Sequence, residues 1–110
     1  MSKGEAMSNL NKVFMALSDE TRRKILVLLK KGSMSAGEIA EQFDISKPSI
    51  TFHLKNLKEA ELVDSKKKGQ FVIYTLRVSV FEEAMMMFMN MLKTVEKENK
   101  GKENEKEKEN

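Results

Sequence analysis

Ser46, Lys47, Ser49, Thr51 and Lys55 stand close together in the sequence, and all five carry donors suited to anionic or carbonyl oxygen. A Lys ammonium can donate to guanine O6 and N7 or hold a phosphate, and Ser and Thr hydroxyls serve base edges or backbone oxygens. Lys66, Lys67 and Lys68 add a second run of cations. Such a run suits contact with phosphates or entry into a minor groove, although Lys on a hairpin is also a common guard against aggregation. Phe52 could touch a thymine methyl or pack under a neighbouring hairpin, and the polar residues beside it could equally form a solvated helix face. His53 is the sole histidine. Without thiols or a second imidazole it makes a poor metal site, and no nucleophile accompanies it, so packing or a phosphate contact is the better reading.

These residues need elements to hold them. Leu10, Val13, Phe14 and Leu17 recur at helical spacing and predict a first helix over about Ser8 to Leu17. Ser18 and Asp19 offer N-cap chemistry for a second, which carries Ile25, Leu26, Leu28 and Leu29 and should end at Lys30-Lys31-Gly32 with the glycine left-handed. Ser35 and Glu38 fit a capping box and start a short helix over 35–42. Ser46 is the next N-cap, and Pro48 falls in the first turn, where its missing N–H costs nothing, so a fourth helix is predicted over 47–60. Two helices joined by so short a turn have helix-turn-helix spacing. In the second of them Ile50, Leu54 and Leu57 share one face, while Thr51, Phe52, Lys55, Asn56 and Glu59 cover the other.

Beyond Leu62 the period changes. Leu62 to Lys66 and Phe71 to Leu76 alternate and are rich in β-formers, flanking Lys67-Lys68-Gly69-Gln70 as a hairpin with a basic tip. Val78, Phe81, Met85, Phe88, Leu92 and Val95 then step by three and four, a heptad seam on a long helix that wants a helical partner. The expected fold is mainly α with a small β-hairpin wing: a winged helix-turn-helix of four helices, two strands and a last helix.

Composition sets the outer limits. The 110 residues are 40% apolar and carry a net charge of +3. From Glu96 to Asn110 there is no apolar residue, which predicts a domain over 1–95 and a disordered Lys/Glu tail over 96–110. The tail holds five Lys and six Glu, leaving +4 on the rest, a modest excess that favours a polyanionic partner. With no Cys in the chain, disulfides, zinc-thiolate sites and thiol nucleophiles are excluded. There is no membrane-length apolar run, no Gly-rich phosphate loop and no catalytic motif, so a cytoplasmic non-enzyme without metal or other cofactor is expected. Met85, Met86, Met87, Met89 and Met91 crowd the last helix. Thioethers could hold Cu(I) or form a promiscuous peptide groove, but adaptable dimer packing is the simpler role.

Several segments, in this order and spacing, resemble the ArsR-type winged helix-turn-helix repressors, and among them a metal-free autorepressor branch. They are Ala16 to Leu26, Ala36-Gly37-Glu38-Ile39-Ala40, Ile45 to Ile50, His53 to Leu57, and Lys68-Gly69-Gln70 with Tyr74 and Leu76. The similarity spans about Leu10 to Leu92. It implies a homodimer built from the first and last helices, which maps onto Leu10, Val13 and Phe14 together with Phe81, Met85, Phe88 and Leu92. It implies double-stranded DNA as partner, a palindromic operator read by Ser46 to Leu57, with Ser46, Lys47, Pro48, Ser49, Thr51, Phe52, His53 and Lys55 at the interface and Lys66 to Lys68 on the wing. Derepression is expected from a small-molecule inducer, a protein partner or dilution of an autoregulated repressor. The competing reading is a protein-interaction module that uses the same scaffold and the Met-rich helix. Arg22 is open between a phosphate contact and solvation, and Arg23 is expected to be solvated. Two departures stand out: Glu20 replaces a frequent Pro, and Glu61 a frequent Gly, so the fourth helix should be capped differently. Metal-sensing members use Cys pairs, or His and acidic ligands on the last helix; Val78 to Val95 has no His or Asp, so metal sensing is not implied.

Overall fold

A computed structural model of the chain describes the backbone of residues 3–109 and the side chains of residues 9–96. In chain order the elements are α1 (Lys3–Leu17), α2 (Glu20–Lys30), β1 (Met34–Ser35), α3 (Ala36–Gln42), α4 (Lys47–Glu59), β2 (Val63–Lys68), β3 (Phe71–Leu76) and α5 (Val78–Glu109). This is the expected winged helix order with one strand added. β1 pairs antiparallel with β3, Met34 opposite Tyr74 and Ser35 opposite Ile73, so the sheet runs β1-β3-β2. A strand of two residues is too short to show alternation, which is why the sequence gives no sign of it. Ser33 and Thr75 hydroxyls, 2.7 Å apart, fasten its approach.

The core draws on every helix. Leu10, Val13 and Ala16 of α1 meet Ile25 and Leu29 of α2, Ile39 of α3, Ile50, Leu54 and Leu57 of α4, and Val80 and Ala84 of α5. Leu62 and Val63 close it at the root of the wing. Leu10 and Val13, expected at a dimer interface, are 5% and 0% exposed: they belong to the chain's own core and have almost no surface left to offer a partner. Their spacing marks a buried face correctly, but periodicity does not say whether the burying surface belongs to the same chain.

The ends of the helices explain where they stop. Asp19 caps α2 by accepting from the Arg22 backbone N–H at 2.9 Å. Both arms of the Ser35–Glu38 capping box are made, each at 3.2 Å. Gly32 is not left-handed; α2 closes through Lys31, whose N–H reaches the Leu28 and Leu29 carbonyls. The end of α4 also differs from expectation. Glu61 adopts the left-handed conformation itself, φ 61°, its N–H donating to the Lys58 carbonyl at 2.9 Å and that of Leu62 to the Leu57 carbonyl at 3.0 Å. That is the Schellman pairing, and the apolar residues at the two ends of the motif, Leu57 and Leu62, are both buried in the core. The cap is the one a glycine would make, formed by a residue that pays steric strain for it.

α5 continues as helix across residue 96, where a disordered tail is expected to begin, as far as Glu109. The side chains of the Lys/Glu segment from residue 97 onward lie outside the described residues.

Candidate nucleic-acid interface

Helix α4 is held by its apolar face. Ile50, Leu54 and Leu57 have no exposed surface, and each such burial contributes about 1.5–3 kcal/mol. The opposite side is therefore forced outward. Lys47, Pro48, Ser49, Thr51, Phe52 and Lys55 are all exposed, as is the N-cap residue Ser46. Ser46 Oγ accepts from the Ser49 backbone N–H at 3.4 Å and lies 3.0 Å from its hydroxyl. Pro48 sits in the first turn as expected. With no acidic residue in that turn, the free backbone donors and the lysines face outward together.

The wing follows at once. The β2–β3 ladder runs from Val63 opposite Leu76 to Lys68 opposite Phe71, leaving Gly69 and Gln70 as a two-residue turn. Gly69 has φ 60°, a conformation that a hairpin turn of this length requires and glycine supplies without strain. Lys66, Lys67 and Lys68 are exposed and lie in the strand itself, with Lys67 and Lys68 outside the turn expected for them. Lys58 Nζ donates to Ser65 Oγ at 2.6 Å and ties the end of α4 to the wing.

One of the expected interface residues is placed apart from that surface. His53 is turned inward: its side chain is 17% exposed and its Nδ1 lies 3.7 Å from Asp19 Oδ2 and 3.3 Å from Arg22 Nη1. Phe52 is exposed but does not pack under the wing. Its ring lines a groove of about 510 Å³ between α1 and α4, with Lys12, Met15, Arg22 and Asn56.

Arg22 is the residue that sequence reasoning left open. Its Nε donates to the Ala16 carbonyl at 2.8 Å and Nη2 to the Met15 carbonyl at 3.1 Å, the latter shared with the Ser18 N–H and hydroxyl, so that Arg22 helps satisfy the last turn of α1. Arg23 is likewise engaged, donating to the Leu17 carbonyl at 2.7 Å, where solvation is the sequence expectation. No local pattern marks either contact, because the acceptors are main-chain carbonyls of another helix. The Asp19 carboxyl is held below the usual carboxylate range, first by the Arg22 backbone N–H; burial opposes this, and the His53 and Arg22 charges and the Thr21 N–H add to it.

A second exposed surface runs along α5. Val78, Phe81, Phe88, Leu92 and Val95 are exposed and Met85 is half-buried, so the heptad seam faces away from the protomer's own core. Phe14 of α1 joins it through an edge contact with Phe88, ring centres 5.3 Å apart. Among the described residues no group of acidic or imidazole side chains could hold a metal ion. No described helix is long and apolar enough to cross a membrane.

The profile of the bacterial regulatory protein arsR family matches residues 19–65, which run from the cap of α2 into the wing. The transcriptional repressor SdpR of Bacillus subtilis is 52% identical over 83 residues, covering 76% of this chain and 92% of that protein. The chain belongs to the arsR family. Among solved structures, an ArsR-like transcriptional regulator from Rhodococcus sp. RHA1 is similar with a TM-score of 0.81 and 28% identity, over 86% of this chain and 90% of that one. The homodimeric winged helix-turn-helix DNA-binding domain of Mb0332 from Mycobacterium bovis shares the fold, with a TM-score of 0.68 and 21% identity over 83% and 87%. Members of this arsR family are transcriptional regulators and not enzymes, and SdpR is a repressor. Within the family frame, α3 and α4 are the helix-turn-helix and β2–β3 is the wing.

Proposed function

We propose that this chain is a sequence-specific, DNA-binding transcriptional repressor that works as a homodimer in the cytoplasm. The observation that carries the reading is the split of α4, with Ile50, Leu54 and Leu57 sealed in the core and Lys47, Ser49, Thr51 and Lys55 left facing solvent. That outward face enters the major groove, and Lys66 to Lys68 lie along the flanking phosphates. Pairing through the α5 seam, with Phe14 beside it, sets two reading helices on successive grooves about 34–36 Å apart, which calls for a palindromic operator. The chain is expected to repress its own promoter, and an effector outside the chain, a small molecule or a protein, to release it.

Footprinting of the native protein across its own promoter region and genome tests the reading. Protection of an inverted repeat, lost steeply as salt rises, is the expected result. Absence of any protected site, with the protein folded and dimeric, would overturn it.

A further inference from the structure

Arg22 joins three elements with one side chain. From α2, its guanidinium holds the Ala16 and Met15 carbonyls at the end of α1 by two bonds of 2.8 and 3.1 Å, and reaches Nδ1 of His53 on α4 at 3.3 Å. Arginine carries donors only, so in this contact Nδ1 is the acceptor. Its backbone N–H is meanwhile fixed by Asp19 at 2.9 Å. Ala16 and Met15 follow directly on Phe14, the α1 residue that extends the apolar seam to Phe88. His53 is flanked on α4 by Phe52 and Leu54 and belongs to the same turns as Thr51 and Lys55. The surface that pairs two copies and the surface that meets DNA are therefore bridged, within one protomer, by a single planar cation.

We propose that Arg22 is the positioning residue that sets the angle of α4 relative to α1, and through it the separation of the two reading helices in the dimer. This rests on the homodimeric repressor reading above. A guanidinium suits the task because its donors lie in one rigid plane, so fixing two on α1 aims the third; a lysine is a point charge on a flexible stem and cannot do this. Arg22 touches no base on this account. It decides which operators fit, by their half-site spacing, not which base pairs are read.

The test uses the full chain and the duplex that the wild-type protein itself selects from a random pool. That duplex is compared with the same duplex cut to one half-site and with versions whose spacer is one or two base pairs longer or shorter. For Arg22→Gln and Arg22→Lys the expected result is at least a tenfold loss on the full operator, affinity for the half-site within twofold of wild type, and a flattened dependence on spacing. His53→Phe, which keeps a ring but removes the acceptor and leaves the α1 bonds intact, should flatten the spacing dependence in the same way, and it carries the test if the Arg22 variants do not fold. Equal losses on full and half-site duplexes, or a spacing optimum as sharp as in wild type, would overturn the proposal. If the wild-type protein selects no duplex, the repressor reading fails and this inference with it; if it selects one and the variants behave as wild type, this inference alone falls.

Discussion

Lys47 and Lys55 are exposed on the outward side of α4 with no structural partner among the bonds that fix the helix, so replacing them should touch recognition and spare the fold. Lys47→Ala and Lys55→Ala are each expected to weaken operator binding by about 1 kcal/mol or more in gel shift, with an unchanged circular dichroism spectrum. Asp19 shows the opposite balance, a residue whose work is inside the protein. Its carboxylate is favoured in the folded chain above all by the Arg22 backbone N–H, so its folded-state pKa is below the unfolded one. The stability it adds is full at neutral pH and disappears as pH falls through the folded value. Asp19→Ala should cost about 1 kcal/mol in urea titration at neutral pH, and the gap to wild type should close in acid; Asp19→Asn, still a good N-cap, should cost less.

At the level of elements, the end of α4 carries the clearest strain. Glu61 sits at φ 61°, where a side chain meets steric resistance, and the Schellman pairing around it is nonetheless complete. Glu61→Gly is expected to stabilise the protein by up to about 1 kcal/mol, read as a rise in Tm, with operator affinity unaltered. A fall in Tm would show that the Glu61 side chain contributes more than its backbone costs. The wing is tied to the same helix end, since Lys58 reaches Ser65 and Leu62 accepts from the Arg77 N–H at 2.9 Å. The strained cap thus serves as the joint between reading helix, wing and the start of α5.

Over the whole molecule the deciding feature is an apolar stripe that the protomer does not cover. Leu92 is 48% exposed and Phe88 39%, beyond the part of α5 that Val80 and Ala84 anchor to the core. Because Leu92 is not needed to close the protomer, Leu92→Glu should leave helicity intact, shift sedimentation from dimer to monomer, and lower affinity for a full operator far more than for a half-site. A wild-type chain that sediments as a monomer would remove the basis for two-groove recognition.

Local chemistry was enough to determine the order of the helices, the Ser35 capping box, the Ser46 cap, the hairpin and the outward side of α4, though not the start of α1 at Lys3, ahead of the expected Ser8, or the reach of α5 to Glu109. Each rests on contacts between residues a few positions apart, which the order of residue types displays directly. Tertiary structure decided the rest. It assigned Leu10 and Val13 to the protomer's core and left Phe14 and the α5 seam outside, although all share the same spacing, because periodicity marks a face without naming its neighbour. It added β1, too short to leave a pattern, and turned His53 inward. It also gave Arg22 its partners, carbonyls and an imidazole on two other helices, which meet only once the chain has packed.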